Sequence, residues 1–84
     1  MKKLLTKREQ IDILDQKISK LLIQRRDLSH DIIRKKRKLK LPITDADRER
    51  EIIQKISEAR EPAEKNYLVE VYRVIFRSCK KSRR

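Results

Sequence analysis

The chain has no glycine, no tryptophan, one cysteine, one histidine and two prolines, at positions 42 and 62. One cysteine excludes an internal disulfide, and one cysteine with one histidine cannot form a zinc site. We therefore expect neither a metal nor catalysis by a thiol or an imidazole. With so few residues that interrupt helices, the 84-residue chain has few places to turn.

Long apolar runs are missing as well. No segment approaches the roughly 18 apolar residues of a membrane span. The opening MKKLLTKREQ has too few apolar residues for a signal peptide. We expect one cytoplasmic domain over residues 1–84, with no membrane partner.

Charge is abundant, and most of it is positive. Charged residues make up 45% of the chain and the formal net charge is +12, which favours an anionic partner. The apolar residues, 37% of the total, are mostly Leu, Ile and Val, and a chain this short buries only a limited share of its surface alone. The composition therefore favours an oligomer that binds an anion.

Apolar residues recur at helical spacing through the first half of the chain. They are Leu4, Ile11, Leu14, Ile18, Leu21, Leu22, Leu28, Ile32 and Leu39. One helix over this range would be about 54 Å long, whereas a compact chain of this size has a radius of gyration of about 12 Å. The helix must project, and a second copy of the chain is the simplest cover for its apolar stripe.

The two prolines divide the chain into three helical pieces, which makes the fold class all-α. Pro42 disfavours helix at Leu41, and Thr44 is then predicted as the N-cap of a second helix with an acidic first turn. Pro62 suits the first turn of a third helix. The inner faces of these two helices are predicted to contain Ile52, Ile53, Ile56, Ala59, Tyr67, Leu68, Val71, Val74, Ile75 and Cys79.

Several cations share the apolar faces. Arg25 and Lys36 lie on the stripe of the first helix, where they either extend to water from its edge or bind an anion. Arg8 lies about 25 Å from Arg25 along the same helix, so the two can meet on one small molecule only across two antiparallel copies. Arg48 and Glu49 precede the inner face of the second helix, where the acid is either an ion-pair partner or an acceptor for a ligand hydroxyl.

One longer pattern combines these charges with the apolar periodicity. The strings REQIDILDQKISKLLIQRRDL and KKRKLKLPITDADRERE fit R-x-x-I-D-x-x-D-x-x-I-x-x-L-L-x-x-R, then a lysine, then P-[VI]-x-D-x-x-R-E. Residues 8–49 thereby resemble the all-helical chorismate mutases without an evident gap. The resemblance implies an intertwined homodimer with three helices per chain and two active sites, each built from both subunits.

The same resemblance assigns roles to individual residues. Arg8 of one subunit and Arg25 of the other would bind the substrate carboxylates, while Lys36 would bind a carboxylate and donate to the ether oxygen. Glu49 would accept a hydrogen bond from the substrate hydroxyl. The other residues that would line the site are Asp45 and Arg48, the latter in support of Glu49.

The third helix departs from the family pattern. The family usually has a serine there and, four residues later, a glutamine or glutamate that contacts the ether oxygen; Cys79 and Arg83 stand in these places. A shifted register would offer Ser78 and Ser82 instead.

The reaction that the resemblance implies rearranges chorismate to prephenate without a cofactor. Cations placed beforehand would select the diaxial conformer and stabilise negative charge on the ether oxygen.

Three alternatives remain open at this level. The basic runs Arg34–Lys40 and KKSRR suit a nucleic-acid-binding module, although no aromatic residues interleave them. An isochorismate pyruvate lyase would use a similar scaffold and similar cations. The altered third helix also fits a mutase-fold protein that folds and dimerises but turns over slowly.

Overall fold

The computed structural model describes residues 6–81 and contains, within them, three α-helices and no strand. α1 spans Lys7–Lys38, α2 spans Ala46–Ser57 and α3 spans Pro62–Lys81. α2 packs against α3, which also contacts α1. The predicted all-α class with three helices is confirmed, and both prolines lie at the predicted breaks.

α1 begins at a capping box. Thr6 Oγ1 accepts a hydrogen bond from the backbone N–H of Glu9, and Glu9 Oε1 accepts one from the backbone N–H of Thr6, both at 3.1 Å. These bonds satisfy donors that have no partner inside the helix. The predicted start at Leu4 lies outside the described residues, and Leu39 is the C-cap.

Without glycine, the chain ends α1 with a lysine in the left-handed region. Lys40 has a φ of 58°. The backbone N–H of Leu41 donates to the Lys36 carbonyl at 2.8 Å, and that of Lys40 donates to the Arg37 carbonyl at 3.1 Å. This is a Schellman motif, in which glycine is the usual left-handed residue. A side chain at that position costs roughly 1 kcal/mol.

The boundaries of α2 differ from the prediction at both ends. Its N-cap is Asp45, whose carboxylate accepts a hydrogen bond from the backbone N–H of Arg48 at 3.0 Å. The prediction of Thr44 was wrong because the negative charge of a carboxylate also complements the positive end of the helix dipole. Ala59, predicted on the inner face of α2, follows the end of the helix at Ser57 and has a φ of 55°.

The long first helix makes the chain elongated. The principal extents of the chain are 61 × 31 × 16 Å, and its radius of gyration is 16.6 Å. This radius is well above the value of about 12 Å for a compact chain of this length. Within the described residues, no helix is both long and apolar enough to cross a membrane.

Little apolar surface is buried within one chain. Among the side chains described, only those of Ile33 and Cys79 are buried, with 8% and 9% exposed. The predicted burial of Tyr67, Val71 and Val74 was wrong for a single chain, because no other element of the described chain covers that face of α3. A second exposed surface, here called the α1 seam, consists of Ile11, Leu14, Ile18, Leu21, Leu28 and Ile32.

Candidate active site

A cleft of about 280 Å³ lies where the three helices meet. Its floor is apolar, with isoleucines from α1, from α2 and from the segment between them. Its rim is charged. Of the eight site residues that the resemblance implied, five line this cleft: Arg25, Asp45, Arg48, Glu49 and Cys79.

Arg25 occupies a position of the α1 seam that an apolar residue would otherwise fill. Its guanidinium carbon lies 5.6 Å from the ring centre of Phe76 and 5.8 Å from that of Tyr72. Nη1 donates to Sγ of Cys79 at 3.8 Å. None of the ion pairs formed within residues 6–81 involves Arg25. Since sulfur is a weak acceptor, the guanidinium keeps donors for a carboxylate.

Asp45 links the start of α2 to a cation of α1. One of its oxygens caps α2, and Oδ2 lies 3.8 Å from Nζ of Lys36. Lys36 is not part of the lining of the cleft, and only 22% of its side chain is exposed. Its stem is therefore covered while its ammonium group lies beside a residue of the rim, as expected for a lysine at the edge of an apolar stripe.

Glu49 and Lys80 form an ion pair on the rim, between α2 and α3. Nζ of Lys80 donates to Oε2 of Glu49 at 3.0 Å, with 33% and 30% of the two side chains exposed. Sequence reasoning missed Lys80. The two residues are 31 positions apart, and they meet only because α2 packs on α3, so no local pattern could have indicated the pair.

Arg48 is the most open of the cationic residues on the rim. Its Nη1 donates to Oε1 of Glu51 at 3.4 Å, one turn further along α2, and not to the neighbouring Glu49. The side chain is 59% exposed, and an ion pair this exposed contributes little. The guanidinium is therefore free to turn toward a ligand in the cleft that it lines.

Of the remaining implied site residues, one does not line the cleft and one is not described by the structure. Arg8 is exposed in the first turn of α1 and is not part of the lining. Arg83 lies outside the described residues. As for a metal, no group of three or more His, Cys, Asp or Glu side chains in residues 6–81 is arranged to hold one.

The fold and the cleft define an all-helical protein with a mainly cationic pocket of small-molecule size. The profile of the family described as chorismate mutase type II matches residues 7–84. The chain belongs to this family, and the match includes α3, where the sequence pattern departs most. No curated protein and no solved structure matches the chain significantly.

Proposed function

We propose that the chain is a chorismate mutase that converts chorismate to prephenate as a homodimer with shared sites. The family match supports the class of reaction. The observation that carries the proposal is the convergence of Arg25, Arg48 and Glu49 from two helices on one cleft, with Cys79 from a third. Chorismate is a dianion with a hydroxyl group, and these side chains offer it guanidinium donors and a carboxylate acceptor.

The dimer explains how Arg8 reaches a site. The α1 seam leaves a line of large apolar side chains exposed, and such a surface favours burial against another chain. If two α1 helices pack antiparallel with Arg8 opposite Arg25 of the partner, the two-fold axis passes between Gln16 and Lys17. Each site of the dimer then gains a third arginine, beside Arg25 and Arg48, from the other subunit.

The proposed mechanism requires no proton transfer to the protein, because one bond breaks and another forms within the substrate. Arg25 and the Arg8 contributed by the second subunit bind the two carboxylates and favour the compact conformer. Lys36, whose ammonium group lies beside Asp45 on the rim of the cleft, extends from there and donates to the ether oxygen, where negative charge grows as the carbon–oxygen bond breaks. Its 3.8 Å distance from Asp45 is too long for a good hydrogen bond, so its donors are available.

The decisive experiment follows the loss of chorismate absorbance and identifies the product by chromatography. We expect prephenate from the wild type and a loss of roughly 30-fold or more in kcat/KM for Arg25→Ala, since removing one partner of a desolvated charge pair costs at least about 2 kcal/mol. Arg77→Ala, which removes an exposed arginine of α3 outside the cleft, is the control. A folded wild type that leaves chorismate unchanged would refute the proposal.

The isochorismate pyruvate lyase alternative relies on the same cations, so only the substrate separates it from the mutase. The same assay with isochorismate, in which pyruvate is the product, tests it directly. Pyruvate release faster than prephenate formation would replace the proposed reaction.

The basic end of α1 supports a role in attracting the substrate. Lys35, Arg37 and Lys38 are exposed, and a concentration of one sign of charge raises the rate at which an oppositely charged ligand arrives. We expect kcat/KM to fall as salt is added. A nucleic-acid-binding module would use the same residues, and a gel shift that persists at about 0.15 M ionic strength would favour it.

A further inference from the structure

The Glu49–Lys80 ion pair differs from the other ion pairs within residues 6–81. It has the lowest combined exposure of its two side chains, and it joins two helices, whereas most of the others link residues at most three positions apart. Both of its members line the cleft. None of the roles implied by the family resemblance includes Lys80.

We propose that Lys80 is a positioning residue of the active site that acts through Glu49. It fixes the carboxylate of Glu49 in the orientation that accepts the substrate hydroxyl, and its charge offsets that of Glu49 beside a dianionic substrate. This inference rests on the proposed function and names a residue that determines how the substrate is bound.

The two carboxylate oxygens of Glu49 differ in their hydrogen bonding. Lys80 donates to Oε2 of Glu49, while Oε1 accepts no hydrogen bond from a residue within 6–81 and is left for a ligand. A lysine side chain that bridges two helices also prevents the Glu49 side chain from turning to solvent. The carboxylate thereby stays on the rim of the cleft before the substrate arrives, which lowers the cost of binding.

The charges of the cleft give the second reason. Its lining contains three cations, Arg25, Arg48 and Lys80, and two carboxylates, Asp45 and Glu49. Without Lys80 the lining would carry as many negative as positive charges, which is a poor environment for a dianion. With Lys80 in place, Glu49 can offer an acceptor to the hydroxyl without repelling the nearby carboxylates of the substrate.

The test compares Lys80→Met, which keeps the length of the side chain, with Lys80→Arg and with the control Lys55→Met, which removes an exposed lysine of α2 outside the cleft. We expect Lys80→Met to lower kcat/KM by roughly 10- to 100-fold, the usual effect of a hydrogen bond to a charged group. The change should be mostly in KM, because the hydroxyl and the carboxylates are bound in ground state and transition state alike. Lys80→Arg and Lys55→Met should remain within about threefold of the wild type.

Glu49→Gln supplies the second half of the test. Its side-chain amide still accepts a hydrogen bond but carries no charge to offset, so adding Lys80→Met should cost less than about threefold in this background. Equal losses in both backgrounds would overturn the inference. So would a lower kcat at unchanged KM together with a lower thermal midpoint, because that pattern indicates fewer folded molecules.

Calorimetric titration with chorismate separates this inference from the proposed reaction. A wild type that binds chorismate without turnover would refute the mutase activity, and Kd then becomes the readout: a rise in Kd for Lys80→Met supports the role of Lys80, and an unchanged Kd overturns it. A wild type that does not bind chorismate overturns both proposals.

Discussion

Mixing two impaired variants tests whether each active site takes arginines from two subunits. Arg8 and Arg25 are 17 residues apart on α1, about 25 Å along the helix axis. Of these two arginines, only Arg25 lines the cleft of its own chain. Arg8→Ala and Arg25→Ala homodimers would each have two defective sites. In a heterodimer of the two variants, one site lacks both arginines and the other has both.

The size of the recovery follows from this arrangement. Each variant alone should retain at most about 3% of wild-type kcat/KM if the lost charge pair is worth about 2 kcal/mol or more. When equal amounts are unfolded together and refolded, random pairing makes about half of the dimers heterodimers, each with one intact site of two. We expect about one quarter of wild-type activity, roughly eight times that of either variant.

The control uses two residues that the proposal assigns to the same subunit at each site. A mixture of Arg25→Ala and Lys36→Ala leaves one defect in every site of the heterodimer, so its activity should stay near the mean of the two variants. If the Arg8→Ala and Arg25→Ala mixture also shows only the mean after verified refolding, the sites are not shared as proposed.

Three further predictions concern the interface, the end of α1 and the altered third helix. Ile18→Asp places a charge in the α1 seam and should weaken dimerisation by roughly 2 kcal/mol or more, seen as a monomer by sedimentation equilibrium; an unchanged dimer would exclude this face as the interface. Lys40→Gly should raise the free energy of unfolding in urea by about 0.5–1 kcal/mol, whereas Lys20→Gly, at an exposed position in the interior of α1, should lower it by about 1 kcal/mol. The double variant Cys79→Ser, Arg83→Gln should raise kcat/KM about 2- to 10-fold by supplying a stronger acceptor and a neutral donor. No gain would count against impairment by these two replacements.

The elements that sequence could predict are those set by local chemistry. Pro42 and Pro62 mark the helix breaks because their rings restrict the backbone wherever they occur. The apolar spacing of α1 predicts its length and its projection from the rest of the chain. The sequence indicates Arg25 as a candidate site residue because this cation interrupts an apolar stripe. In the structure Arg25 lines the cleft and has no carboxylate partner within residues 6–81.

Other features depend on packing or on conformations that the sequence does not signal. Lys40 and Ala59 adopt positive φ values, yet neither is glycine or asparagine, the residues by which such positions are usually predicted. The presence of Lys80 in the lining of the cleft can be seen only once α2 is packed on α3. The N-cap of α2 was misplaced by one residue because Thr44 and Asp45 are adjacent residues of types that both cap helices well.

The sparse burial within one chain has a consequence for how the protein behaves on dilution. With only Ile33 and Cys79 buried among the described side chains, a separate subunit has little to offset the conformational entropy lost on folding. In the proposed dimer, folding and assembly are then one equilibrium, and the midpoint of thermal unfolding rises with total protein concentration. In that dimer, activity per molecule would fall as the solution is diluted, since a subunit without its partner would have no complete site. The abundance of the chain would thus control how active each copy is.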